Sequence, residues 1–168
     1  MHKQVFQSED LLRFLNKGDP VLFPTDTVPA LAASINDAEK LWQIKNRPKT
    51  KPLILMGSSI EQLLSYALPE AYEDASKIAS SYWPGAITIA IPALSEIVQI
   101  LNPTGNSIGI RVPACTLTLE LLKKSGPLAT TSANFSGLDP SLDADGVAKC
   151  FPELPLLGPI PWPQSSGL

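Results

Sequence analysis

The sequence predicts an α/β fold built as a single domain around one twisted, mixed sheet, and three observations carry that prediction. Short apolar runs bounded by Pro or Gly, such as Pro20 to Pro24, Pro52 to Met56 and Ser107 to Val112, read as buried strands. The segments between them repeat their apolar residues at helical spacing. The two kinds of segment alternate along 168 residues, the usual length of one domain.

Each element has its own signal. Leu11, Leu12, Phe14 and Leu15 give an apolar face to a helix from Glu9 to Lys17, with Ser8 as its cap and Gly18 where a left-handed stop is wanted. Pro20 to Pro24 follows as a strand. Asn36 or Asp37 caps a second helix, which runs to Lys45 and which Pro48 forbids from continuing. Pro52 to Met56 is the next strand. Helices are expected over Ser58 to Tyr66 and Pro69 to Tyr82, the second with Pro69 in its first turn. Strands at Ala86 to Ile91 and Ser107 to Val112 come next, then a helix from Cys115 to Lys124, then a strand from Leu128 to Thr131. The long connections after residue 91 imply some antiparallel pairing.

The last thirty residues read differently, holding six of the seventeen prolines. Pro152, Pro155, Pro159, Pro161 and Pro163 argue against a helix or a central strand there, which would leave Leu128 to Thr131 at an open sheet edge. Residues 152–168 read as a proline-rich, shortened end of a domain that spans 1–168.

Composition excludes several chemistries. Hydrophobic residues make up 44% and charged residues 17%, a globular balance, and the net charge of −3 disfavours a globally basic nucleic-acid binder. The one histidine is His2, so Ser-His-Asp hydrolysis and histidine-based zinc sites find no support. Cys115 and Cys150 form no CxxC and read as reduced thiols. No apolar run approaches the 18 or so residues of a membrane span, and a cytoplasmic protein without a membrane partner is expected. Neither GxxxxGK[ST] nor GxGxxG is present.

What remains is polar residues at strand ends and one basic cluster. Lys45, Arg47, Lys49 and Lys51 fall within seven residues that contain no acid, an anion site on an otherwise acidic chain. Thr25-Asp26-Thr27 follows a buried strand, where hydroxyl-rich turns bind carboxylates and phosphates; read alone, a plain Asx or ST turn is the favoured explanation. Thr130-Thr131-Ser132-Ala133-Asn134 follows another strand. Ser107 and Arg111 share one strand face, and an arginine in so apolar a strand requires an anion, whether a ligand or a structural acid.

In order, FPTDTV, IKNRPKTKPLIL, WPGAITI, SIGIRVP and PLATTSANFSG resemble the YrdC-like family of threonylcarbamoyl-AMP synthases over about residues 8 to 142. The KxR element appears as Lys45-Asn46-Arg47 and the SxN element as Ser132-Ala133-Asn134. The resemblance implies a concave, positively lined cavity, and an enzyme that joins L-threonine, bicarbonate and ATP into threonylcarbamoyl-AMP with release of diphosphate. That product serves N6-threonylcarbamoyladenosine formation on tRNA. The implied partners are those substrates, tRNA or double-stranded RNA, and proteins of the same modification pathway. Mg²⁺ is expected on the triphosphate, without a dedicated protein site. By matching positions, Arg47, Lys51, Ser107 and Asn134 are implied ATP contacts, and Ser141 reaches the nucleotide. Thr27, Arg111 and Ser132 are implied threonine contacts, and Lys45 sits on phosphates or carbamate.

This chain departs from the family pattern at several positions. PTDTVPALA stands where the family usually reads PTDTVYGLG, so Pro29 replaces an aromatic and Ala30 and Ala32 replace glycines. Met56 stands near a threonine-contacting position that is often histidine. The family continues with a Ser-Thr-Val strand and an Arg-x-Gly segment where this sequence ends, which implies an incomplete ATP site. Two other readings are a YciO-like paralogue that binds nucleotide without this catalysis, and an RNA-binding module.

Overall fold

The computed structural model describes residues 4–167, so His2 lies outside the described residues. The described residues form eight strands and seven α-helices. The strands are β1 (Val5–Phe6), β2 (Val21–Phe23), β3 (Ala30–Ala33), β4 (Ile54–Met56), β5 (Ile89–Pro92), β6 (Ser107–Arg111), β7 (Leu128–Ser132) and β8 (Leu156–Leu157). The helices are α1 (Ser8–Asn16), α2 (Glu39–Lys45), α3 (Ile60–Leu64), α4 (Tyr72–Tyr82), α5 (Ser95–Leu101), α6 (Thr116–Ser125) and α7 (Ala144–Cys150). One mixed sheet runs in the order β1-β8-β2-β3-β7-β4-β6-β5. β4 pairs parallel with β6 and antiparallel with β7, while β2–β3, β3–β7 and β5–β6 are antiparallel.

Strand alternation sorts the core onto two faces. Leu22, Leu31, Leu55, Ile108 and Ile110 point to one face, where Leu41 of α2, Leu63 of α3, Leu101 of α5 and Val147 of α7 cover them. Val21, Phe23, Ala32, Met56 and Leu128 point to the other, under Leu11 and Leu15 of α1 and Leu121 and Leu122 of α6. Those two helices cover only part of that face. Ile54, Thr130 and Ser132 continue it past Met56 and Leu128, and they line an open cavity.

Several expectations are corrected. Ser8 begins α1 rather than capping it; Gln7 holds the cap position, and the Ser8 hydroxyl accepts a hydrogen bond from Lys124 Nζ at 2.8 Å. Gly18 takes the expected left-handed φ of 87°. The Asn36 region forms a 3₁₀ turn, with Ala38 at the cap of α2. The proline-rich segment does enter the sheet: β8 lies between β1 and β2. Its prolines flank the two ladder residues, so they remove no needed donor. Leu156 N–H donates to Gln4 O, Gly158 N–H to Phe6 O, and Pro155 O accepts from Leu22. Trp162 Nε1 closes this segment onto Leu157 O at 2.7 Å. Nor is β7 an edge: independently of β8, β3 and β4 flank it.

β3 escaped the sequence reading because Pro29-Ala-Leu-Ala-Ala is poor in β-branched residues and shows no alternation. Each of its four residues is buried, so polarity gives no period. α7 is capped by Asp143, whose Oδ1 accepts from Gly146 N–H at 2.8 Å.

One buried bond ties the helix layer to the turn that follows β2. Thr118 of α6 is fully buried, and its hydroxyl donates to Pro24 O at 2.5 Å. Thr118→Val keeps the shape but strands that carbonyl. We expect a loss of about 1–3 kcal/mol, read from denaturant unfolding.

Candidate functional site

The open part of the sheet face is a cavity of about 360 Å³. Thr27, Arg47, Met56, Arg111 and Ser132, five of the ten sequence candidates, line it. The positions follow from register: Met56 faces Arg111 across β4–β6, Ile54 faces Thr130 across β4–β7, and Ala30 faces Ser132 across β3–β7.

Arg111 is held by the turn after β2. Its Nε donates to Gly85 O at 2.9 Å, one terminal nitrogen to Thr27 Oγ1 at 3.0 Å, and the other to Asp26 Oδ1 at 2.6 Å. The same Asp26 oxygen accepts from Ala114 N–H at 3.0 Å. The anion that the apolar strand demanded is therefore Asp26, in a largely buried ion pair. Three of the five guanidinium N–H groups are committed, and two remain for a ligand. Thr25 Oγ1 donates to Val28 O at 2.6 Å, so in its contact with Thr27 Oγ1 it accepts the Thr27 proton. Thr27 then offers a ligand only a lone pair, which suits an ammonium or amine N–H.

Of the basic cluster, Arg47 lines the same cavity. α2 ends at Asn46, whose φ of 48° is a left-handed stop that asparagine tolerates. Lys45 stays in the last helical turn and Arg47 leaves it. Arg47 Nε donates to Lys51 O at 3.2 Å and a terminal nitrogen to Pro52 O at 3.0 Å, leaving three N–H groups. Burial lowers the Arg47 pKa from its ordinary value. Lys45 is 2% exposed. Its Nζ donates to Ser132 O at 2.7 Å and contacts Thr131 Oγ1 at 3.1 Å and Ser132 Oγ at 3.3 Å. Burial, then the charges of Arg47 and Lys51, lowers its pKa to about 8.

The remaining candidates stand apart from the cavity lining. The Lys51 side chain is exposed, and its carbonyl positions Arg47 and accepts from Trp42 Nε1 at 3.1 Å. Ser107 lies at the far end of β6, paired with Pro92. Ser141 packs on Gly146 in the first turn of α7. Asn134 braces its own loop through Nδ2 bonds to Phe135 O and Leu138 O, and its Oδ1 is buried without a partner. The structure adds Ile54, Thr88 and Thr130 to the lining. Thr130 stood inside the hydroxyl run of the sequence, and period-two spacing from Ser132 places it on the same face; its hydroxyl donates to Ile54 O at 2.9 Å. Thr88 had no such signal. Among the described residues, no group of three His, Cys, Asp or Glu could hold a metal, and no helix is long and apolar enough to cross a membrane.

The sequence profile of the Sua5/YciO/YrdC family, described as "Telomere recombination", matches residues 13–155, and the chain belongs to that family. The threonylcarbamoyl-AMP synthase of Pyrococcus abyssi is 34% identical over 142 residues, covering 82% of this chain and 42% of that protein. The threonylcarbamoyl-AMP synthase of Psychromonas ingrahamii is 32% identical over 172 residues, covering 96% of this chain and 88% of that protein. The crystal structure of P. abyssi Sua5 complexed with L-threonine superposes with a TM-score of 0.83 at 29% identity, covering 95% of this chain and 48% of that one. The chain thus spans less than half the length of the P. abyssi protein.

Proposed function

We propose that this domain makes threonylcarbamoyl-AMP from L-threonine, bicarbonate and ATP, releasing diphosphate. The observation that carries the reading is the pairing, in one cavity, of a held Arg111 fork with Arg47, with Lys45 buried behind the lining residues Thr131 and Ser132. The relatives' names and the threonine complex of the P. abyssi protein support it. Two free N–H groups on Arg111 match a carboxylate as a bidentate fork. The Thr27 lone pair faces the amino group, and the Ser132 hydroxyl borders the same space. Arg47, with three donors free, takes the phosphates.

The carbamate oxygen then attacks the α-phosphorus and diphosphate leaves. Such a step needs alignment and charge neutralisation rather than a protein nucleophile. ATP enters as its Mg²⁺ complex, the ion carried on phosphate oxygens and water. The buried, unpartnered Asn134 Oδ1 beside the SxN turn awaits a donor, which supports its assignment to the nucleotide. Lys51, Ser107 and Ser141 are assigned to the nucleotide by family resemblance alone, since all three stand outside the cavity lining, while Met56 lines it beside Arg111. We take the reaction to run in the cytoplasm and its product to serve tRNA modification. Diphosphate release measured with and without L-threonine and with and without bicarbonate tests the reading. Release that requires both is expected, and release indifferent to L-threonine overturns it.

A further inference from the structure

The reaction proposed above needs a proton acceptor. L-threonine enters as an ammonium, and its nitrogen has no lone pair for bicarbonate until one proton leaves. The cavity lining contains hydroxyls, apolar side chains and two arginines, but no carboxylate, histidine or cysteine. Asp26 is tied to Arg111 and Ala114. Lys45 is a titratable side chain that reaches the lining, through Thr131 Oγ1 and Ser132 Oγ.

Its surroundings admit both of its protonation states. Of the three groups around Nζ, only Ser132 O must accept a proton. Thr131 Oγ1 and Ser132 Oγ can each accept or donate. An ammonium satisfies all three by donating, and a neutral amine satisfies them by donating twice and accepting once. The charged groups acting on Nζ are Arg47 and Lys51, both cations, while the facing strand β7 brings only hydroxyls and a carbonyl. Among the described residues no acid forms an ion pair with Lys45. A lysine kept only as a fixed charge is ordinarily paired with an acid when buried.

We propose that Lys45, acting through the Ser132 hydroxyl, takes the proton that the amino acid must lose before its amine attacks bicarbonate. This rests on the synthase reading. The ammonium gives one proton to Ser132 Oγ as that hydroxyl gives its own to neutral Nζ. The freed lone pair forms the N–C bond to the bicarbonate carbon. A C–O bond breaks, and the departing hydroxide leaves as water with the second proton lost by nitrogen. The products are threonine carbamate, water and a Lys45 ammonium, so atoms and charge balance. The new ammonium then faces the carbamate and phosphates, and its proton returns to solvent after product leaves. The lowered pKa of about 8 makes neutral Nζ accessible at ordinary pH.

The test is Lys45→Arg, which keeps the cation and cannot release its proton. Threonine- and bicarbonate-dependent diphosphate release should fall about 10²- to 10⁴-fold, while ATP affinity changes far less. In the wild type the rate should drop as pH falls through about 8 and Nζ becomes protonated; the variant should lose that limb. Should Arg prove too large for the site, Ser132→Ala gives the second reading, with the same loss of rate and of the limb. A Lys45→Arg enzyme that keeps its rate and the wild-type pH profile overturns the relay, as does a rate loss matched by an equal loss of ATP affinity. A wild-type protein that releases no diphosphate with threonine and bicarbonate overturns the synthase reading itself, and the relay with it.

Discussion

Arg111→Ala is expected to abolish threonine-dependent diphosphate release and to destabilise the fold by about 3–5 kcal/mol. The activity loss comes from the two N–H groups left for the carboxylate, and the stability loss from the three bonds within the protein. The Arg111 side chain is 8% exposed and that of Asp26 19%, so removing the arginine leaves a largely buried carboxylate without its cation. Gly85 O and Thr27 Oγ1 lose their donors as well. Arg111→Lys restores a charge but not a planar fork, so it should recover part of the stability and little of the threonine binding. Threonine titration and thermal melting of the three proteins read the two effects separately. Full stability in Arg111→Ala would show that the Asp26 pair contributes nothing to the fold.

Arg47→Ala is the counterpart on the nucleotide side, and its pattern is the reverse. Arg47 is half-buried and donates to two backbone carbonyls next to solvent, so the loss of stability should be small. Its three free donors face the space assigned to the phosphates, where charge develops in the transition state. A donor aimed there is typically worth about 10²- to 10³-fold in rate. Steady-state diphosphate release and a melting curve decide the matter. An unaltered rate removes the basic cluster from the site.

The sequence showed much of this architecture, for reasons that differ by element. β4 and β6 were legible because their apolar runs are bounded by Pro or by polar residues. The end of α2 was legible because Pro48 forbids more helix. β3 and β8 were not legible. A buried alanine run has no polarity period, and prolines that flank two ladder residues look the same in sequence as prolines that break a strand. At the site, Met56, Arg111 and Ser132 lie at strand ends, Thr27 in the turn after β2, and Arg47 just beyond a helix end. Side-chain alternation from Ser132 would have added Thr130. The partner of Arg111 required tertiary structure, since Asp26 and Arg111 are 85 residues apart in the chain. The sequence did not show that Lys45 is enclosed by Thr131 and Ser132, because that contact spans the gap between a helix end and a strand.

The central claim is that one cavity joins carbon from bicarbonate, the amino group of threonine and the α-phosphate of ATP. The direct measurement incubates the protein with Mg-ATP, L-threonine and ¹³C-bicarbonate and follows the adenylate product by mass spectrometry. The account predicts an adenylate that carries both the threonine and the label, formed together with diphosphate. Formation of ADP alone, or of an adenylate of threonine without the label, would contradict it.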